Sequence, residues 1–324
     1  MDMETNRAME VVGIGVPYYD MVINVSKMPG LDGAAGANEA FYQGGGKVAT
    51  AMAAAARLGR RAGIIAKGGE NHRGRFVIED FRYNGVDTSA VIVDAPGTSS
   101  PFCLSLSEEE HKTRIFIGKE GTAGELQPEE IDYSYLGKAK YLHLENGRPA
   151  SEAAARFAKE HGIVTVMDAD NYQEGIVKLL PLLDVFIASE FFYRDMFGEL
   201  DYEAGCRRLM TAGPSTVIVT LGSRGSVGLT EQDGFFKTES FQVPVRDTTG
   251  AGDVFHGAYI VGLLEGMNAP ECARFASAVS AIKCTCFGGR TGIPDRKTVA
   301  EFLETGVIDD TQAQERLAYY RNNL

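Results

Sequence analysis

The order of apolar runs in the second half of the chain leaves little choice of architecture. Residues 141–144 (YLHL), 164–167 (VTVM), 185–188 (VFIA) and 216–220 (TVIVT) are short runs rich in β-branched and aromatic residues. Helix-patterned stretches at 151–161 and 202–212 stand among them. Strands this apolar must be covered on both faces, and a helix between two strands returns the second parallel to the first. The expectation is an α/β fold with a mainly parallel sheet between two helical layers. The first half follows this order only in part: a strand over 10–16, a helix from Lys47 that stops at Gly59, a strand over 62–66 and a helix over 75–84. Between them lie pieces that do not alternate. These are an apolar run at 21–25, a Gly- and Ala-rich loop over 30–38, and runs at 103–106 and 113–117 flanking the acidic cluster Glu108, Glu109 and Glu110, which reads as a hairpin. They predict a small β-sheet added at one edge as a lid, within segments 17–43 and 96–120 of one domain over residues 1–324. The polar tail, 311–324, reads as a terminal helix or frayed end.

The strongest chemical signal is DTTGAGDVFHGAY at 247–259, after the β-rich run 241–245 and ahead of a long apolar helix pattern. Gly250, Ala251 and Gly252 at a helix start leave backbone N–H groups without intrahelical partners, and with the helix dipole they make an anion site. A carboxylate in that first turn, Asp253, works against simple anion binding. It makes sense where a hydroxyl must lose its proton beside a phosphoryl group, with the backbone donors stabilising charge on the group in transfer. The plainer alternative is a Gly-rich turn with Asp253 as an N-terminal helix charge. It is not a Walker loop, because no Gly-Lys-Ser/Thr follows the glycines.

Charge and composition narrow the partners. Among 324 residues the formal net charge is −12, which excludes a sequence-independent nucleic-acid binder and disfavours an anionic membrane surface. The 38 glycines sit repeatedly in pairs and triplets beside apolar runs, as where backbone approaches a ligand closely. The longest apolar stretch, 48–58, is too short to span a bilayer, and the polar start lacks the basic and apolar regions of a signal peptide, so a cytoplasmic protein is expected. The five cysteines are odd in number and read as reduced buried thiols. Cys284 and Cys286 lack the further closely spaced ligands of a zinc site.

DTTGAGDVFHGA closely resembles the C-terminal signature of the ribokinase-like (PfkB-type) carbohydrate kinases, and GGGKVATAMAAAARLG at 44–59 resembles their N-terminal signature. The resemblance runs from about Val11 to Leu303. It implies a three-layer αβα sandwich with a small β-sheet lid, and transfer of the ATP γ-phosphate, with Mg²⁺, to a hydroxymethyl group on a sugar. It further implies Asp253 as base with Gly250, Ala251 and Gly252 as anion hole, and Asp20, Gly45, Gly46, Thr50 and Glu145 around the sugar. The nucleotide would lie at Ser189, Thr220, Gly222, Gly225 and Gly288. A monovalent cation such as K⁺ would bind beside Asp247, and Glu190 would serve Mg²⁺. The chain departs from the family pattern at Thr50, where Asn is common, and at SEFF (189–192), where the Asn-x-x-Glu element shifts register. The acidic pair usual near 69–74 is also altered. The stretch from Arg274 through Asp295 looks most like bacterial sulfofructose kinases, and Lys27, Arg114, Lys119 and Arg148 are candidates for gripping an anionic substrate, although loop 30–38 carries no basic residue. The alternatives are a nucleoside (adenosine-type) kinase, with Tyr18, Tyr19 and Phe102 as stacking candidates, and a catalytically weak sugar-binding regulatory protein. A homodimer through the lid is a further expectation.

Overall fold

The computed structural model describes residues 9–111 and 113–322, so the expectation about the polar start falls mostly outside the described residues. The strands are β1 (Val11–Ile14), β2 (Tyr18–Val25), β3 (Ala37–Gly45), β4 (Ala62–Gly68), β5 (Val91–Val93), β6 (Phe102–Glu108), β7 (Arg114–Lys119), β8 (Tyr141–Leu144), β9 (Val164–Ala169), β10 (Val185–Ser189), β11 (Thr216–Thr220), β12 (Ser226–Thr230) and β13 (Gly234–Thr238). The helices are α1 (Lys47–Arg57), α2 (His72–Tyr83), α3 (Tyr133–Leu136), α4 (Pro149–Glu160), α5 (Glu174–Leu179), α6 (Glu190–Phe197), α7 (Tyr202–Thr211), α8 (Ala251–Leu264), α9 (Ala269–Lys283), α10 (Arg296–Thr305) and α11 (Thr311–Arg321). Nine strands form one sheet in the order β13-β12-β11-β10-β9-β8-β1-β4-β5. It is parallel from β5 to β11 and antiparallel over β12 and β13.

Two separate apolar cores lie on the two faces of this sheet, and the strands feed them alternately. Val11, Ile64, Val166, Ile187 and Ile218 enter the core containing α1, α8 and α9. Their chain neighbours Val12, Ile65, Met167, Phe186 and Val217 enter the core with α4 to α7. This is the two-residue strand period acting on runs that are apolar throughout. The covered parallel sheet expected from the sequence is therefore present.

A second sheet, β3-β2-β6-β7, stands apart from the large one. It contains the expected hairpin, β6 antiparallel to β7, and β6 parallel to β2. Tyr19 fixes its base, stacked on Tyr42 at 4.8 Å and edge-on to Phe76 at 5.0 Å. Leu317 and Tyr320 of α11 pack beneath it against Val22, Phe41 and Phe287, so the tail is a docked helix over its described part.

Boundaries moved where caps decide them. α1 ends as expected, with Gly59 at φ 89°. α2 begins three residues earlier than read, because the Asn71 side chain accepts from Gly74 N–H at 3.2 Å and caps the helix there. The β-rich run 241–245 forms no strand. Pro244 has no N–H to give a ladder, and Phe241 packs instead on Phe302 at 5.3 Å.

The centre of the molecule is a pair of buried helices. In α1 residues 48–55 are all buried, and in α8 residues 254–262 are. They meet over small residues: a side-chain carbon added at Gly257 would collide with the Ala51 carbonyl and stand 3.0 Å from the Ala54 methyl.

Candidate active site

The carboxyl ends of the parallel strands gather the polar residues on one rim. Glu145 follows β8, Asp168 lies near the end of β9 and Asp170 follows it, Ser189 ends β10 and Thr220 ends β11, where Ser189 and Thr220 are directly opposite each other. This rim is where open α/β sheets place ligands. Between it and the small sheet lies a cleft of about 450 Å³, lined by Asp20, Gly44, Gly46, Lys47, Thr50, Glu145 and the turn from Thr249 to Asp253. Residues more than 200 positions apart in sequence thus face one space.

The turn before α8 is shaped by Gly250, whose φ of 74° only glycine adopts freely. Asp253 sits one turn in. Burial and the neighbouring Asp168, Asp170 and Glu145 carboxylates push its acid up to about 7, while Lys47 pulls it down. Of the three expected anion-hole amides, Ala251 N–H is already given to Thr248 O at 3.2 Å.

Across the cleft, Gly46 caps α1 at φ 96°, and a side chain there would strike the Val16 carbonyl. Lys47 follows at the first helical position, where the dipole disfavours a cation. Burial weakens its charge, and the carboxylates of Asp168, Glu145, Asp170 and Asp253 more than restore it. Glu145 accepts Val16 N–H at 2.7 Å and Val48 N–H at 2.9 Å, so it joins the end of β1 to the start of α1. Asp20 projects from β2 with a buried oxygen, Oδ1, that has no donor in the protein. Burial raises it to about 7 against the pull of Arg290, with Asp253 and Asp80 adding. Its back is set by Gly45, where a side chain would run into the Asp20 carboxylate.

Arg290 lies beneath this wall with no solvent exposure. It pairs with Asp80, donates to Gly45 O at 3.0 Å and reaches the Thr50 hydroxyl at 3.3 Å. Thr50, in place of the usual Asn, is thus tied to the loop that follows α9. Below Asp253, His143 and His256 are held neutral chiefly by burial, near 3. With Asp168 they bring ligand-type atoms within 4.8 Å of one another. None of the three lines the cleft among the described residues, and the Lys47 ammonium beside Asp168 opposes a dication there.

Other expected residues lie outside the cleft lining. Glu190 accepts from Arg194, Arg224 and Tyr202, which leaves its carboxylate poorly placed to ligate Mg²⁺. Ser189 caps α6 by accepting Phe192 N–H at 3.0 Å. Gly222 and Gly225 turn the chain between β11 and β12. Asp247 is buried, and its two oxygens accept Thr249 N–H and Gly288 N–H, each at 2.8 Å. The carbonyls of Asp247 and Thr249 accept from the Lys283 ammonium, so the oxygens beside Asp247 do not fit a K⁺ ion. Arg114 and Arg148 line the cleft, whereas Lys27 pairs with Glu110 on the surface. All five cysteines are unpaired, and four are buried; Cys103, half-buried, is on the cleft wall.

Residues 8–296 match the model of the pfkB family carbohydrate kinases. A ribokinase of Haemophilus influenzae is 29% identical over 268 residues, 80% of this chain and 87% of that one. A 5-dehydro-2-deoxygluconokinase of Geobacillus kaustophilus is 26% identical over 282 residues, 80% of this chain and 84% of that one. The crystal structure of a ribokinase from Thermotoga maritima superposes with a TM-score of 0.78 at 26% identity, covering 92% of this chain and all of that one.

Proposed function

The chain belongs to the pfkB family of carbohydrate kinases, and from that premise we propose that it moves the γ-phosphoryl group of MgATP to a hydroxymethyl oxygen of a sugar or sugar acid, with Asp253 as base. The observation that carries this reading is the carboxyl of Asp253 in the first turn of α8, raised to about 7 and facing the same cleft as Asp20. A base of that strength is half-ionised near neutrality, where general-base catalysis is most effective. As the acceptor oxygen bonds to phosphorus, its proton passes to Asp253 and the bond to the ADP oxygen breaks. The N–H groups of Gly250 and Gly252 at the helix start would stabilise charge on the transferred group. Lys47 supplies positive charge among the carboxylates. Mg²⁺ carried by the ATP phosphates would offset their charge, and Asp170, on the cleft wall, is the carboxylate suited to hold its water shell. No monovalent cation enters this reading.

The unpartnered Asp20 oxygen suits a sugar hydroxyl, a donor that would otherwise be missing. Arg114 and Arg148 in the lining favour an acceptor with a carboxylate over a neutral one. A nucleoside acceptor is less well served. Of the three stacking candidates Tyr18 lines the cleft, but Tyr19 is buried in the lid's aromatic cluster and Phe102 lies under Arg73, so neither of these is free to stack on a base. A homodimer remains part of the proposal: every residue of edge strand β7 is exposed, including Ile115, Phe116 and Ile117. The experiment is ADP release from MgATP with a panel of aldoses, ketoses, sugar acids and nucleosides. A sugar or sugar acid should give turnover, and turnover on nucleosides alone would overturn the assignment.

A further inference from the structure

α9 runs behind the catalytic turn and holds it at two points one helical turn apart. Ser280 donates its hydroxyl proton to Ala251 O at 2.9 Å. Lys283, the last residue of α9 and without solvent exposure, donates its ammonium protons to Asp247 O at 3.0 Å and to Thr249 O. In a trans peptide the carbonyl and the next N–H point in opposite directions. Anchoring Thr249 C=O therefore fixes where Gly250 N–H points, and anchoring Ala251 C=O does the same for Gly252 N–H. Of the three amides expected to form the anion hole, these are the two not spent on an internal partner once Ala251 N–H is given to Thr248.

The oxygens that meet the ammonium are the kind a monovalent cation would choose: two backbone carbonyls with a buried carboxylate beside them. Asp247 stays ionised despite burial because Lys283 is near and because Thr249 N–H and Gly288 N–H bond to it. Buried opposite charges so placed are mutually satisfied. A lysine ammonium is a compact point charge with three donors, and here it is tethered to the fold and cannot dissociate.

We propose that Lys283 is a positioning residue that stands in place of a monovalent cation, orienting the Gly250 and Gly252 amides through their carbonyls, so that the enzyme neither needs nor binds K⁺ at this turn. This rests on the phosphoryl-transfer reading of the cleft. Neither Lys283 nor Ser280 lines the cleft, so Lys283 acts on ATP only through the backbone.

The test is calorimetric binding of a non-hydrolysable ATP analogue with Mg²⁺, in tetramethylammonium chloride and in KCl at equal ionic strength. No acceptor need be known. The wild-type affinity should be the same in both salts. Lys283→Met should bind about tenfold or more weakly in tetramethylammonium, the scale of one lost charged hydrogen bond. KCl or ammonium chloride should restore it, a rescue that a merely structural lysine would not give. A wild-type affinity that rises tenfold with K⁺, a Lys283→Met protein with unchanged affinity, or a loss that neither cation repairs would overturn the proposal. If Lys283→Met does not fold, the wild-type comparison and Lys283→Arg, expected to be cation-independent too, still decide. A wild type that binds no nucleotide in either salt would instead count against the kinase reading.

Discussion

As the proposed base, Asp253 sits in the site at a cost to the fold. Its acid is raised from the ordinary 3.8 to about 7, so its protonated form is the one the folded state favours. The resulting stability is fully present below pH 3.8 and is lost as pH rises through 7. Asp253→Asn should therefore lower turnover about 100- to 10,000-fold while raising the melting temperature at pH 8, with the gain shrinking at pH 5. Scanning calorimetry at the two pH values checks this, and an unchanged or lower melting temperature at pH 8 would contradict it. The same carboxyl predicts that turnover falls on the acid side of about pH 7. Lys47 lowers that acid, so Lys47→Met should move the acid limb of the pH–rate profile to higher pH. Asp20→Ala should raise KM more than it lowers kcat, since the interaction it removes is made to the bound sugar as well as to the transition state. Asp253 and the Gly250 turn were legible because they belong to a contiguous signature, and Asp20 only through the wider family resemblance. Lys47, Asp168, Arg290 and Lys283 were not singled out, because their meaning lies in partners that only folding brings near. Lys47 did leave a trace, a cation at a helix start.

Among elements, the loop after α9 does the most for its length. It sends Arg290 under the small sheet to Asp80 on α2, to Gly45 on β3 and to Thr50 on α1. Removing one member of such a buried pair leaves the other charge stranded. Asp80→Ala should cost about 3–5 kcal/mol of stability in urea unfolding, and loosening the Gly45 wall should raise KM for the sugar. The central strands β1, β4, β8, β9, β10 and β11 and the helices α1, α2, α4 and α7 were readable from period and composition to within a few residues, since burial on two faces and capping act locally. The antiparallel pair β12 and β13 was not read, and the run 241–245 is β-rich in sequence yet forms no strand, because edge pairing depends on what lies alongside and not on the run itself.

For the molecule as a whole, the covered parallel sheet followed from alternation alone, and the small sheet from the pieces that refused to alternate. The proposed pairing of two copies through the lid is the part open to a hydrodynamic test. Replacing Ile115 and Ile117 by Asp should leave a monomer in sedimentation, if the exposed β7 edge is the contact.

The seam between α1 and α8 has a mechanical consequence. On the proposed reading one helix begins beside the acceptor wall and the other with the turn that would receive the phosphoryl group, and they touch where Gly257 meets Ala51 and Ala54. The spacing between the two reactants is therefore gauged deep in the interior, like the opening of a caliper set by its pivot. A single methyl at Gly257 would widen the jaws from a point that touches neither reactant. Gly257→Ala should slow kcat while both ligands still bind, and kinetics alongside direct binding would register that separation.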